Sequence, residues 1–129
     1  MEVTINFKSC GIGKEKYSVI NSFIKYLQKH YPLKDNIEIN FLGERVGNMT
    51  TGSRIPGLIN IFCRKRIMRD ILRSVAHEWY HEYEDIILHI PHKTHIGGKN
   101  ENLANAESGK IVKKFEMENS KFEKYPFDC

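Results

Sequence analysis

The sequence predicts an α+β fold in which a small mixed or antiparallel sheet is combined with three helices. Short segments with alternating apolar and polar residues indicate half-buried strands. Longer segments with an apolar residue at every third or fourth position indicate amphipathic helices. These segments follow one another in the order β-α-β-β-β-α-α, which is typical of an α+β arrangement in layers. A chain of 129 residues is long enough for one such core and too short for two, so we expect a single domain.

The first half of the chain begins with a strand, a helix and a second strand. Val3–Lys8 alternates apolar and polar residues and predicts the first strand. Lys14–Tyr31 has helical spacing and is stopped by Pro32, which lacks the backbone N–H that a helix needs. Asn36–Leu42 alternates again. The glycine-punctuated stretch from Glu44 to Arg54 has room for a further strand and a turn.

The second half contains the last strand and two long helical patterns. Gly57–Cys63 predicts the strand, and Ile67–His89 predicts a helix with a broad apolar face. A loop from Ile90 to Lys99 follows. Asn100–Phe122 then predicts a second helix, which the loop allows to return antiparallel to the first.

The composition is typical of a soluble globular protein. Hydrophobic residues make up 40% of the chain and charged residues 28%, and the formal net charge is +4. One dense basic cluster, Arg64–Arg66 with Arg69 and Arg73, lies at the start of the Ile67–His89 helix. A solvated helix start is the favoured interpretation of this cluster, and a nucleic-acid surface is the alternative.

The cysteines and the hydropathy favour a cytoplasmic protein. Cys10, Cys63 and Cys129 are odd in number and widely spaced, which argues against a disulfide framework or a cysteine-rich zinc site. Reduced thiols are the simplest interpretation. Neither a signal-peptide pattern nor a run of about 18 apolar residues is visible, so we expect no membrane partner.

The segment His77–His81 reads HEWYH, an HExxH pattern within the first long helix. Residues four apart on a helix are neighbours, so His77 and His81 can present two imidazoles to one Zn²⁺. Glu78 can reach a water bound to that metal and take its proton as general base. The histidines lie opposite the apolar face of the helix, so we expect them to face solvent or a cleft. The pattern predicts metal-assisted hydrolysis, most often of a peptide bond.

The second helix offers two candidates for a third ligand, because catalytic zinc usually has three protein ligands and an open position. Glu101 is separated from His81 by nineteen residues, which suffice for the chain to turn and return antiparallel. Glu107 lies six positions further on and points away from the helix in a different direction. We prefer Glu101, because it lies at the helix start. If Glu101 is the third ligand, we expect Glu107 to be a solvated surface residue.

HEWYH followed by Glu101 at this spacing resembles the gluzincins, the zinc peptidases whose third ligand is a glutamate on the next helix. In the thermolysin-like branch, Asn precedes this glutamate, and an Asp four residues later orients a ligand histidine. The corresponding residues here are Asn100, Glu101 and Asn105, with Asn in place of Asp. The run of Glu101, Ala104 and Asn105 also resembles the small ImmA/IrrE-type peptidases, which cut specific regulators. The resemblance covers about Arg66 to Phe115.

The resemblance implies a zincin-like metallopeptidase domain over residues 1–129, with Zn²⁺ as cofactor and a peptide or protein as substrate. The zinc ligands that it implies are His77, His81 and Glu101. Glu78 is then the catalytic base, and Asn105 hydrogen-bonds a ligand histidine. In such peptidases an edge strand beside the active-site helix can hold an extended peptide. Gly57–Cys63 is a candidate for this edge strand or for a plain strand of the sheet.

Several assignments stay open from the sequence. His92, His95 or Tyr83 could donate to the oxyanion that develops during hydrolysis, and each is otherwise an ordinary loop or helix residue. The protein could instead be a non-catalytic zincin-like module that binds or regulates a protein partner. A basic nucleic-acid-associated domain that uses Arg64–Arg73 is the third alternative.

Overall fold

The computed structural model describes residues 2–8, 13–43, 51–64, 66–89 and 99–119, except the side chains at positions 15 and 99–102. Within these ranges the chain forms a small α+β fold with three α-helices and a four-stranded mixed sheet. The elements follow the order β-α-β-β-β-α-α, so this prediction from the sequence is confirmed.

The sheet consists of strands β1 (Val3–Lys8), β2 (Ile37–Leu42), β3 (Gly52–Ile55) and β4 (Leu58–Phe62). Their order across the sheet is β1-β2-β4-β3. β2 pairs in parallel with both β1 and β4, and β3 pairs antiparallel with β4. β4, the strand that precedes the HExxH helix, is therefore an internal strand, and β3 forms the edge of the sheet on that side.

The helices begin and end close to the predicted positions. A 3₁₀ turn (Lys14–Lys16) leads into α1 (Tyr17–His30), and the HExxH segment lies in α2 (Met68–Ile86). α3 (Lys99–Glu118) follows. The last helix ends at Glu118 and not at the predicted Phe122, since Asn119 is not helical, and Phe122 itself lies outside the described residues. Among the described residues, no helix is long and apolar enough to cross a membrane.

The hydrophobic core lies between one face of the sheet and the helices. Register aligns Ile5 with Ile39 and Ile59, and Phe7 with Phe41 and Ile61, so each row of the sheet presents apolar side chains to this face. Residues from all three helices complete the core, among them Phe23, Leu27, Ile71, Leu72, Val75, Trp79, Val112 and Phe115.

The opposite face of the sheet carries a row of asparagines at one register position. Asn6 donates to Asn40 at 2.9 Å, and Asn40 donates to Asn60 at 3.2 Å. Asn40 also donates to the Glu38 carboxylate at 3.0 Å. Because each amide offers both donors and acceptors, the half-buried row can satisfy its own polar groups across three strands. The described helices pack against the apolar face of the sheet, and the candidate site lies on that face.

Trp79, the third residue of HEWYH, anchors α2 to the end of α1. Its side chain is fully buried, and its indole N–H donates to the backbone carbonyl of Tyr31 at 2.9 Å. A buried tryptophan needs such a partner for its N–H. The motif helix is therefore fixed in rotation, with the two histidines turned away from the core centre.

Arg66 ties the start of α2 to the end of β4. Its guanidinium donates to the carbonyls of Phe62 and Asp70, each at 2.8 Å, and to the hydroxyl of Ser74 at 2.6 Å. The expectation of a solvated basic helix start is wrong for this residue, because it is only 8% exposed. Lys65 lies outside the described residues, and Arg69 pairs with Glu116 of α3 at 2.7 Å.

Candidate metal centre

The two histidines of the HExxH motif meet on adjacent turns of α2. Their Nε2 atoms are 3.1 Å apart, and the rings are close to perpendicular, with centroids 4.6 Å apart. On both rings, the nitrogen that faces the other histidine is therefore Nε2. This convergence follows from helix geometry, because side chains at positions i and i+4 lie one above the other.

This donor pair fits a tetrahedral zinc ion. Two imidazole nitrogens that each bind zinc at about 2.0–2.1 Å are separated by roughly 3.3–3.4 Å in a tetrahedral site. The observed separation of 3.1 Å is close to that value. A hydrogen bond between two neutral imidazoles would give a similar distance, since one ring nitrogen can donate while the other accepts. The distance between the Nε2 atoms is consistent with both interpretations.

The histidines lie in a covered position and not on an open surface. His81 is 3% exposed and His77 is half-buried, so the alternative that His81 faces solvent is wrong. The polar side of α2 is covered because two elements flank it. The contacts of β3 and α3 with α2 show where the histidine pair lies.

β3 flanks α2 on one side of the histidines. The Arg54 guanidinium of β3 forms ion pairs with Glu82 and with Asp85, the second at 3.2 Å. The other Glu82 oxygen accepts from the backbone N–H of Gly57 at 3.0 Å, in the turn between β3 and β4. Arg54 and Glu82 are both buried, so this ion pair fixes the edge strand against the motif helix.

α3 flanks α2 on the other side. Arg69 pairs with Glu116, and the Arg73 guanidinium lies beside Gly109, 3.6 Å from where a Cβ would stand. At about 100° per residue, His81 and His77 fall in the arc between the residues that contact β3 and those that contact α3. On the surface of α2 the imidazole pair therefore lies between the residues that contact β3 and those that contact α3.

Glu78, the sequence-predicted base, lies under the edge strand. A Cβ built on Gly52 would stand 3.3 Å from the Glu78 Cγ atom and 3.3 Å from Ile61 Cδ1. The backbone dihedral φ of Gly52 is not in the left-handed region, so any residue could adopt this backbone conformation. The absence of a side chain at position 52 therefore matters for space: it lets the half-buried Glu78 side chain lie beside β3.

Glu84 lies beside His81 and was not anticipated from the sequence. Its Oε1 atom is 3.2 Å from His81 Nδ1, and both side chains are almost completely buried, at 1% and 3% exposed. The two atoms meet the distance of a hydrogen bond but not its alignment. The spacing i, i+3 from a motif histidine was the available signal, but the same spacing is common for surface glutamates.

The side chain of Glu101, the preferred third ligand, lies outside the described part of the structure, and position 101 belongs to α3. The contacts Arg69–Glu116 and Arg73–Gly109 show that α3 runs antiparallel to α2. Continued at about 1.5 Å per residue along both helices, these two contacts bring position 101 level with the stretch of α2 from His81 to Glu84.

Glu107, the alternative ligand, is held on another side of α3. Its carboxylate accepts a hydrogen bond from the Tyr31 hydroxyl at 3.0 Å and lies 3.7 Å from Lys110 Nζ. The expectation of a solvated surface residue is wrong, because its side chain is 28% exposed. Among the side chains that the structure describes, no three His, Cys, Asp or Glu groups are arranged to hold a metal ion. Glu107 therefore does not complete the histidine pair.

Two half-buried tyrosines beside the site, Tyr31 and Tyr80, have raised pKa values. Burial raises the pKa of Tyr80, and the carboxylates of Glu84 and Glu107 raise it further. Burial also raises the pKa of Tyr31, with the hydrogen bond to Glu107 as the next contribution. The phenols therefore stay neutral, because each ionised form would lie in an apolar setting close to a carboxylate.

The remaining predicted residues are only partly located. The Asn105 side chain is exposed, and its backbone carbonyl accepts from the Ser108 hydroxyl at 2.9 Å. Tyr83 is half-buried and packs edge-on against Tyr31, with ring centroids 5.5 Å apart. His92 and His95 lie outside the described residues. The roles suggested for these four residues stay predictions.

We compared the chain with models of protein families, with curated proteins and with solved structures, and none of the three comparisons gave a significant match.

Proposed function

We propose that the protein is a zinc-dependent hydrolase, a metallopeptidase of the gluzincin type with a zincin-like fold. The observation that supports this most strongly is the convergence of two imidazole Nε2 atoms at 3.1 Å on the helix that also carries Glu78. The position of this pair between α3 and the edge strand β3 supports peptide hydrolysis, because an edge strand can hold an extended peptide. The proposed location is the cytoplasm, as the odd number and wide spacing of the cysteines in the sequence suggest.

The proposed ligands are His77, His81 and Glu101. Two arguments support Glu101 besides the resemblance of the motif to gluzincins. The first is that the antiparallel arrangement of α2 and α3, continued from the two described contacts, brings position 101 to the level of His81–Glu84. The buried positions of α3 also recur with helical spacing at Ala104, Ser108, Ile111 and Phe115. The same spacing, extended by one turn towards the N-terminus, arrives at position 101.

Zn²⁺ held by these residues would supply a polarised water with a pKa near neutrality. The carboxylate of Glu78 would act as the general base that accepts a proton from the attacking water and passes it to the leaving amine. The covered position of the site favours this chemistry, because charges interact more strongly where water is excluded. The donor to the oxyanion stays open among His92, His95 and Tyr83.

The edge strand β3 is the proposed docking strip for the substrate. Phe62 N–H donates to the Thr51 carbonyl at 3.1 Å, so residues 51, 53 and 55 direct their backbone groups towards β4. The N–H and C=O groups of Gly52 and Arg54 then point away from β4. An extended peptide that pairs with these two residues would lie along β3, the strand beside Glu78.

Hydrolysis by the zinc-loaded protein tests the proposal. A peptide library digested with wild-type protein and with Glu78→Gln is compared by mass spectrometry. We expect cleavage by the wild type and at least about a hundredfold slower cleavage by Glu78→Gln, with zinc still bound. Glu118→Gln is the matched control, because Glu118 is an exposed glutamate at the C-terminal end of α3. This variant should cleave peptides as the wild type does.

The same experiment separates the alternatives. Equal cleavage by wild type and Glu78→Gln would remove Glu78 as the base. Zinc binding without cleavage of any library member would favour the non-catalytic protein-binding module. Salt-dependent binding of DNA or RNA in the absence of zinc would favour the nucleic-acid alternative.

A further inference from the structure

Glu84 is a buried carboxylate in direct contact with one of the two converging histidines. It is 1% exposed, and its Oε1 atom is 3.2 Å from His81 Nδ1. Nδ1 is the ring nitrogen on the opposite side from Nε2, which faces His77. The two contacts of His81 therefore use both of its ring nitrogens, one for each neighbour.

The burial of Glu84 requires a reason. Removal of a carboxylate from water costs several kcal/mol unless a donor or an opposite charge compensates it. Its neighbours include His81, one turn before it on α2. A surface-exposed glutamate at this position would avoid the cost of burial. The position next to a candidate ligand suggests that the carboxylate acts on the imidazole.

We propose that Glu84 is a positioning residue that accepts the Nδ1–H of His81 and thereby keeps Nε2 deprotonated and directed at the metal. The inference rests on the proposed metal centre and adds a residue to it. Neutral histidine carries one ring proton, and the hydrogen bond made by one nitrogen decides which nitrogen is left as a ligand. Carboxylates that fix ligand histidines in this way also raise the basicity of the imidazole.

The proposal changes which residue performs the role that the sequence suggested for Asn105. Asn105 has an exposed side chain, whereas Glu84 is already in contact with His81. The imperfect alignment of the contact is consistent with a bond that tightens on loading, because hydrogen bonds of catalytic groups are often long before the ligand binds. Only Glu84 comes from the same helix as the histidine, so helix geometry alone maintains their distance.

The tautomer of His81 in metal-free protein tests the proposal without reference to activity. Long-range ¹H–¹⁵N NMR spectra distinguish a protonated Nδ1 from a protonated Nε2, and His81→Ala identifies the signals. We expect Nδ1–H in the wild type and a shift towards Nε2–H in Glu84→Gln. Protonated Nε2 in the wild type, or a tautomer that Glu84→Gln leaves unchanged, would overturn the proposal. The wild-type spectrum remains decisive if the variant fails to fold.

Zinc affinity is the second readout and separates this inference from the proposed function. We expect Glu84→Gln to bind Zn²⁺ roughly 10–100-fold more weakly than the wild type in competition with a chelator. Glu107→Gln removes an equal charge near Tyr80 and should bind Zn²⁺ as the wild type does. Equal affinity in the wild type and Glu84→Gln would overturn the positioning role. A wild-type protein that binds no zinc would overturn the proposed function, while the tautomer still decides whether Glu84 orients His81.

Discussion

The ion pair between Arg54 and Glu82 gives the sharpest prediction about the framework of the site. Both side chains are buried, at 8% and 4% exposed, whereas Asp85, the second partner of Arg54, is 32% exposed. Glu82→Gln keeps the size of the side chain but leaves the Arg54 guanidinium as a buried charge with a weakened partner. Loss of one member of a buried pair costs about 3–5 kcal/mol.

That cost corresponds to a large fall in melting temperature. The entropy of unfolding for 129 residues is roughly 0.27 kcal/mol/K. A loss of about 3–5 kcal/mol therefore lowers the Tm by roughly 11–18 °C. Circular dichroism against temperature measures this shift, and urea unfolding gives the free energy of unfolding independently.

Two further variants complete the test. Asp85→Asn affects a partly exposed pair, so we expect a loss of about 0–1 kcal/mol. The double variant Arg54→Met with Glu82→Leu replaces the pair by apolar side chains and should recover most of the lost stability. The reasoning is refuted if Glu82→Gln destabilises the protein no more than Asp85→Asn does.

Two other predictions concern Gly52, which lies beside Glu78, and Tyr31. Gly52→Ala adds a Cβ 3.3 Å from Glu78 Cγ, so we expect slower peptide cleavage with unchanged zinc affinity. Ser53→Ala, whose exposed side chain is on the other face of β3, is the control, and equal rates for the two variants would contradict the role of Gly52. Because the pKa of Tyr31 is raised in the folded protein, the unfolded chain loses the Tyr31 proton at a lower pH than the folded protein does. The contribution of Tyr31 to the free energy of unfolding is therefore complete below about pH 10 and decreases as the pH rises further. Tyr31→Phe removes that contribution, so its Tm should fall less steeply in this range than the wild-type Tm. Parallel profiles of Tm against pH would contradict it.

Much of the fold could be predicted from the sequence because its elements are strongly periodic. β1 was predicted with the observed bounds, Val3–Lys8, since alternation continues without interruption along this strand. The order of strands in the sheet could not be predicted, because pairing between distant strands leaves no local pattern. β3 was located only within the stretch from Glu44 to Arg54, and its position at the sheet edge became clear from its pairing with β4.

The site was predicted in part, and the reasons for the rest are physical. Spacing alone predicted that His77 and His81 converge, because helix geometry fixes it. Helical spacing could not predict the burial of His81, Glu82 and Glu84. Their burial results from tertiary packing, because β3 and α3 cover the polar side of α2. A glutamate three residues after a histidine looks like a surface residue until its surroundings are known. Glu84 was therefore missed, and Asn105 was chosen from the resemblance alone.

The zinc content of the untagged protein tests the central claim most directly. Elemental analysis is made on the wild type, on Glu101→Gln and on Glu107→Gln after each is supplied with Zn²⁺ and freed of excess metal. We predict one zinc per chain in the wild type and in Glu107→Gln, and a sharp loss in Glu101→Gln. Loss only in Glu107→Gln would contradict the ligand assignment. Zinc in none of the three proteins would mean that HEWYH is not a metal motif in this chain, and the proposed function would fall.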